Sequence, residues 1–139
     1  MVAVGRVIDA LTTEAGRMDK QTFIIPFPPS VNGYWRSYRG RQIMSKKGRD
    51  YRVSIRNCLG LIRPYPKFGD ARLAVTLRLV MPSRHRRDID NYAKASIDGL
   101  KHAGVFDDDE QIDELHIYRE SPQRPGCVQV TIETRQADA

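Results

Sequence analysis

Hydrophobic and polar residues alternate most strictly between residues 72 and 81, where every second residue from Leu73 to Met81 is apolar. Successive side chains of a strand point to opposite faces, so this period of two predicts a strand with one buried face, which Pro82 ends. Shorter apolar runs predict three further strands. They lie at Thr22–Pro26, at Glu114–Glu120 and around Val128, Val130 and Ile132.

Two other segments show the spacing of a helix. Between residues 46 and 62 one stripe is apolar and another is basic, and Ser45 is a suitable N-cap. The second segment runs from Tyr92 to His102, with Gly104 at the position of a C-terminal glycine cap. The order β, α, β, α, β, β predicts an α/β (α+β) domain, in which helices flank a small mixed sheet.

Two segments near the start lack such a pattern. Residues 1–19 are expected to form a weakly structured, flexible leader before a single domain that spans residues 20–139. Prolines, Asn32 and Gly33 predict a loop in FPPSVNGYWR, residues 27–36. Its aromatic and basic residues Tyr34, Trp35 and Arg36 could bind nucleic acid, or the aromatic rings could pack half-buried, which is the preferred interpretation for Trp35.

Composition limits the class of protein. Of 139 residues, 40% are hydrophobic and 29% are charged, as in an ordinary soluble domain. No apolar run approaches the roughly 20 residues that span a bilayer, and the first residues do not have the pattern of a secretory signal, so none is expected. We therefore expect a cytoplasmic protein without a membrane partner. Cys58 and Cys127 belong to no CxxC motif, so we expect reduced, packed thiols and no structural zinc.

Charge is distributed unevenly along the chain. Residues 1–87 contain 18 Lys and Arg against 5 Asp and Glu, whereas residues 88–139 contain 5 against 12. This segregation either reflects a solvated surface or indicates a polyanion-binding region beside an acidic centre. A nuclease needs both parts, because cations hold the phosphate backbone and carboxylates hold a metal ion.

The change of sign falls within RRDIDNYAK, residues 86–94. Asp88 and Asp90 are two residues apart, so an extended chain places both carboxylates on one side. Asp90 or Asn91 could cap the helix that follows. Lys94 lies one helical turn after Asp90 and can reach back toward it.

A second acidic group, FDDDEQ at residues 106–111, follows that helix. A helix of about 11 residues spans roughly 16 Å, so the chain must turn back if one of these carboxylates is to join Asp88 and Asp90. Carboxylates crowd together only around a cation. Oxygen ligands without Cys or His select Mg²⁺ or Mn²⁺, ions that activate water and stabilise the leaving oxygen in phosphodiester hydrolysis.

Other interpretations of the acidic residues stay open at this point. A DxD pair alone is a weak motif, and Asp88 could simply pair with Arg86 or Arg87. Residues 107–110 could form a solvated turn. A calcium loop and an aspartyl-phosphate motif both fit poorly, because Tyr92 stands where each requires a different residue.

The motifs together resemble those of the RusA family of Holliday junction resolvases. The resemblance extends from about Phe23 to Glu133 and rests on PPSVNGYWR and on RRDIDNYAKASIDGLKHAGVFDDDEQI. It implies a small homodimer of mixed α/β fold. It also implies Mg²⁺-dependent nicking of four-way junction DNA, with paired incisions in strands of like polarity.

The resemblance also implies roles for individual residues. It assigns the first two catalytic aspartates to Asp88 and Asp90, the essential lysine to Lys94 and the third aspartate to Asp109. This chain has three consecutive aspartates where the family has two, so the third aspartate could also be Asp108. Asp109 is preferred, and Asp108 is then a neighbouring metal ligand or a carboxylate that supports the ligands. The residues predicted to contact DNA are Arg84, Arg86, Arg87, Asn91, Lys46, Lys47, Arg49 and Arg36.

Two rival functions remain. One is a related nuclease that cuts flaps or replication forks. The other is a junction- or fork-binding protein without cleavage activity.

Overall fold

The structure is a computed structural model that describes residues 4–12 and 18–135. Seven strands, three helices and one 3₁₀ turn follow one another in these residues. They are β1 (Val7–Thr12), β2 (Met18–Pro26), α1 (Val31–Tyr34), β3 (Trp35–Tyr38), β4 (Arg41–Met44), α2 (Lys46–Leu59), β5 (Leu73–Val80), α3 (Asp90–His102), the 3₁₀ turn Asp109–Gln111, β6 (Ile112–Glu120) and β7 (Cys127–Thr134).

Five strands form one mixed sheet in the order β1-β2-β7-β5-β6. Strands β5 and β6 are parallel and are joined through α3, while the other pairs are antiparallel. In β5 every second side chain from Leu73 is buried and the side chains between them are half-buried. The other face is more polar, since Thr22 Oγ1 lies 2.9 Å from Thr131 Oγ1 across β2 and β7. The mixed α+β fold expected from the sequence is confirmed.

Helices α2 and α3 pack together on the hydrophobic face of the sheet. Ser45 caps α2 as predicted, because its side chain accepts a hydrogen bond of 3.0 Å from the Gly48 N–H. Gly99 allows the two helices to approach closely, since a Cβ atom there would lie 3.1 Å from Ile55 Cγ1. Gly104 follows α3 with φ +84°, the conformation of the glycine cap expected there.

The segment predicted to be a loop at residues 27–36 is instead partly regular, and the prediction is wrong there. Ser30 caps the short helix α1, accepting a hydrogen bond of 3.2 Å from the Gly33 N–H. Strands β3 and β4 then form a separate hairpin, which turns at Arg39 and Gly40, both with positive φ. Tyr34 is fully buried, so it cannot stack on nucleic acid, whereas Trp35 is half-buried as the sequence suggested.

The leader expected over residues 1–19 is corrected for the part that the structure describes. Strand β1 lies inside it and pairs with β2, with Val7 opposite Phe23 and Ala10 opposite Gln21. Ile8 and Leu11 are exposed, so backbone pairing holds this edge strand rather than an alternating apolar face. The rest of the leader, residues 1–3 and 13–17, and the final residues 136–139 lie outside the described residues.

The remaining predictions differ in their boundaries. Helix α2 ends at Leu59 rather than at residue 62, and β2, β6 and α3 each begin earlier than the sequence indicated. Both cysteines are free and buried, as expected. None of the helices in the described ranges is long and apolar enough to cross a membrane.

Candidate active site

Helix α3 carries charged residues of RRDIDNYAK and of its continuation on one face. Asp90, Lys94, Asp98 and Lys101 are spaced three or four residues apart, which makes them neighbours on a helix surface. They line an open depression of about 540 Å³, called the acidic depression here. Its full lining is Asp90, Ala93, Lys94, Ile97, Asp98, Lys101, Asp109, Ile112, Leu115 and Ile117.

The start of α3 exposes Asp90. The prediction that Asp90 or Asn91 caps the helix is wrong, because the N-cap is Ile89 and makes no side-chain capping bond. Asp90 is the first helical residue, where a negative charge interacts favourably with the helix dipole. Asp88 is exposed in the preceding segment and does not belong to the lining of the acidic depression.

The chain turns back after α3 and brings Asp109 to the same depression. The buried side chain of Gln111 anchors this turn by donating to the carbonyl oxygens of Gly69 and Ala71 at 2.9 and 2.7 Å. Its Oε1 atom also accepts from the N–H groups of Asp107 and Asp108. The chain therefore makes the return that Asp109 would need to join the carboxylates at the start of α3.

Asp108 and Asp109 differ in what their carboxylates do. Asp108 Oδ1 accepts a hydrogen bond of 3.2 Å from the Glu110 N–H and so caps the 3₁₀ turn. Its pKa lies below the ordinary value, first because of its side-chain hydrogen bond with Asp109, then because of the Glu110 N–H and the charge of Lys101. Asp109 instead lines the acidic depression, where its Oδ1 atom is 3.8 Å from Lys101 Nζ.

Asp98 adds a carboxylate that the site residues taken from the sequence did not include. Tyr34 donates its hydroxyl hydrogen bond to Asp98, and Arg52 contacts Asp98 Oδ2 through Nη2 at 2.9 Å. Burial raises the pKa of Tyr34, and the hydrogen bond to Asp98 raises it further. Asp98 is thus already neutralised by Arg52, and the three side chains tie α1 and α2 to α3.

Only two of the four predicted metal ligands line the acidic depression. Asp90 and Asp109 offer exposed carboxylate oxygens, the ligands that Mg²⁺ prefers, to one depression. Yet across residues 4–12 and 18–135 no three His, Cys, Asp or Glu side chains are grouped closely enough to hold a metal ion. Asp88 and Asp108, the other two predicted ligands, stay outside the acidic depression in this conformation.

Lys94 also borders a second depression of about 840 Å³ on the side of the β3–β4 hairpin. We call it the hairpin depression. It is lined by Val31, Asn32, Trp35, Arg36, Ser37, Gln42 and Lys94. The predicted DNA contact Arg36 therefore lies beside the predicted catalytic lysine, although 58 positions separate them in the chain.

Some of the other predicted DNA contacts are exposed or half-buried, and the rest contact other groups of the protein. Arg84 and Arg86 are exposed in the loop between β5 and α3, and Lys47 is exposed near the start of α2, while Asn91 is half-buried in the first turn of α3. Arg87 is used inside its loop, since its Nη1 atom lies 2.9 Å from Ser83 Oγ. On α2, Lys46 pairs with Asp50 at 2.9 Å and Arg49 donates to the Met44 carbonyl oxygen.

Comparison with known proteins places these residues in a family. The family model of endodeoxyribonuclease RusA matches residues 26–133, more than half of the chain. The chain belongs to the RusA family. Of its relatives there, the crossover junction endodeoxyribonuclease of Enterobacteria phage HK97 is 35% identical over 102 residues, which cover 73% of this chain and 84% of the relative. The RusA protein of Escherichia coli K12 is 33% identical over 122 residues, covering 83% and 95%.

The RusA match includes both depressions, because it extends from the end of β2 to the end of β7. It identifies the chain as a nuclease, as the sequence resemblance implied. Sequence reasoning missed Asp98, Lys101, Asn32 and Gln42 as lining residues. A signal existed for Asp98, which lies one helical turn after Lys94, but none for the two amides, because only the fold brings the hairpin next to α3.

Proposed function

We propose that this chain is a Mg²⁺-dependent endodeoxyribonuclease that resolves four-way DNA junctions. The observation that carries the proposal is that Asp90, Lys94 and Asp109 share one open depression, although the first two come from the first half of α3 and Asp109 comes from the turn beyond its far end. The names of the relatives, crossover junction endodeoxyribonucleases, support the choice of a branched substrate over linear duplex DNA.

Asp90 and Asp109 are the first two proposed metal ligands, because both line the acidic depression. Asp88 would join them by rotating its exposed side chain, since it is only two residues before Asp90. Asp108 would keep its capping bond and support Asp109 rather than ligate. Bound Mg²⁺, or Mn²⁺, supplies an activated water and charge stabilisation at the leaving oxygen.

Lys94 is the proposed electrostatic stabiliser of the reacting phosphate. Its side chain is exposed, and within the described ranges it forms no ion pair. A preorganised cation beside the phosphate stabilises the negative charge that grows in the transition state. The exposed Arg84 and Arg86 would bind the flanking backbone, an interaction that weakens as salt rises.

A homodimer suits this substrate. A four-way junction presents two symmetric strands for cleavage, and a two-fold dimer presents two identical sites to them. Each acidic depression would then cut one strand, so that the two nicks are paired and symmetric.

The test is a cleavage assay on a synthetic four-way junction, with linear duplex and fork DNA as controls, in Mg²⁺ and in EDTA. We expect paired nicks that require Mg²⁺ and spare the duplex. Tight junction binding without cleavage would replace the proposal with a binding protein. Preferential cleavage of forks or flaps would replace it with a nuclease of that specificity.

A further inference from the structure

The hairpin depression has the composition of a site that binds a nucleotide. It combines an aromatic ring and two primary amides, from Trp35, Asn32 and Gln42, while Arg36 borders it but holds its guanidinium carbon 5.8 Å from the Tyr38 ring. Aromatic rings stack on bases, and amides hydrogen-bond to base edges. Its volume of about 840 Å³ lies in the range of ligand-binding clefts.

The strand pairing of the hairpin explains why these groups lie together. Trp35 and Ser37 are two residues apart in β3 and so project to one face. Gln42 is the direct cross-strand partner of Ser37, which brings its amide to that face as well. Asn32 reaches the same depression from α1, and Lys94 closes it on the side of α3.

The polar groups of the hairpin depression are free to bind a ligand. Within residues 4–12 and 18–135, the amides of Asn32 and Gln42 donate or accept no hydrogen bond, in contrast to the amide of Gln111, which is used in the fold. The Nε1 atom of Trp35 is buried and has no acceptor among these residues, so Trp35 offers a ligand only the exposed part of its ring.

We propose that the hairpin depression binds one unpaired nucleotide of the junction, next to the phosphate that is cut, and sets the sequence preference for cleavage. The inference rests on the proposed function, because Lys94 borders both this depression and the acidic one. Trp35 stacks on the base, and the amides of Asn32 and Gln42 contact its edge. Solvation alone would satisfy exposed amides, but it does not account for their position beside both Trp35 and Lys94.

Occupancy can be measured without cleavage, because Trp35 is the only tryptophan of the chain. The full-length protein is titrated with a four-way junction in the absence of divalent metal, and tryptophan fluorescence is excited at the red edge of its band. We expect the intact junction to quench the emission. A junction with abasic nucleotides at the branch point should bind but quench much less. Equal quenching by both junctions, or binding without quenching, would overturn the proposal.

Sequence preference is then measured on junctions that differ only in the bases at the branch point. Asn32→Ala and Gln42→Ala should reduce the preference of the wild-type protein by roughly tenfold or more, the discrimination that one good amide–base contact provides. Asn57→Ala is the matched control, since Asn57 is an exposed amide on α2 outside both depressions. It should leave the preference unchanged.

The outcomes separate this inference from the proposed function. If the wild-type protein cuts no junction, the proposed function fails and the nucleotide subsite fails with it. If the wild-type protein cuts junctions and Asn32→Ala and Gln42→Ala keep its preference, or if it shows no preference at all, only the subsite is overturned.

Discussion

Two acidic regions lie side by side near the start of β6, and they differ in the cations that surround them. Asp113 pairs with Arg135 at 3.2 Å and also with Arg72, which contacts Glu110 as well. Asp90, in the acidic depression, forms no ion pair within the described ranges, and Asp109 in the same lining pairs there only with Lys101, at 3.8 Å.

The difference separates structural carboxylates from available ones. A guanidinium group holds a carboxylate through directional hydrogen bonds and leaves few lone pairs for a metal ion. The carboxylate of Asp113 is therefore committed to the fold, and its pKa lies below the ordinary value, chiefly because of Arg72 and also because of Arg135. The carboxylate of Asp90 has no such guanidinium partner within the described ranges, so it can accept a cation together with the substrate.

The largest effect on cleavage is expected from a substitution inside the acidic depression. Asp90→Asn should lower cleavage at saturating Mg²⁺ by more than about 10²-fold, because even groups that only support a metal ligand contribute 10–100-fold. Junction binding and Tm should change little, since Asp90 is exposed. Single-turnover cleavage, gel-shift binding and thermal unfolding measure the three quantities.

Asp113→Asn is the matched control for that change. It should keep cleavage within about twofold, the usual small effect of a surface substitution, because Asp113 does not line the acidic depression. It should lower Tm, because it removes the partner of Arg72 and Arg135. An equal loss of cleavage in the two folded variants would refute the distinction between the regions.

Lys94→Ala should have the next largest effect. Removal of one preorganised stabilising group typically costs about 10² to 10³ in kcat, and Lys94 lies on the wall shared by the two depressions. Lys101→Ala provides the comparison, because Lys101 contacts Asp108 and Asp109 but borders only the acidic depression. The fall in kcat of Lys101→Ala should be smaller than that of Lys94→Ala. If both variants lose kcat equally, Lys94 has no special role beyond its charge.

The sequence predicted those features of the fold that depend on local pattern. The alternation that begins at Leu73 and the glycine cap at Gly104 are visible in the chain because each residue's burial or conformation follows from its near neighbours. Strand β1 and the β3–β4 hairpin were missed for the opposite reason. Their apolar side chains do not alternate, and only Gly40 marks the hairpin turn.

The candidate site also has features that follow from the local sequence and features that do not. Asp90 and Lys94 are one helical turn apart, so their proximity follows from the sequence. The arrival of Asp109 depends on Gln111, whose bonds to Gly69 and Ala71 span 42 and 40 residues. The neutralisation of Asp98 by Arg52 spans 46 residues, and no local pattern indicates it. Long-range side-chain contacts therefore decide which carboxylates are available, and a single sequence does not show them.

The smallest expected effect is the pH dependence of the stability that the ion pairs of Asp113 contribute. The folded pKa of Asp113 lies below the unfolded value of about 4. The ion pairs therefore stabilise the fold fully above that unfolded value, and their contribution is lost as the pH falls through the lower folded pKa. Urea unfolding of the wild-type protein and of Asp113→Asn at about pH 6 and about pH 3 should show that the stability gap between them narrows in acid. A gap that stays constant or widens would mean that Asp113 supports the fold through packing rather than through its charge, and the distinction between committed and available carboxylates would lose its electrostatic basis.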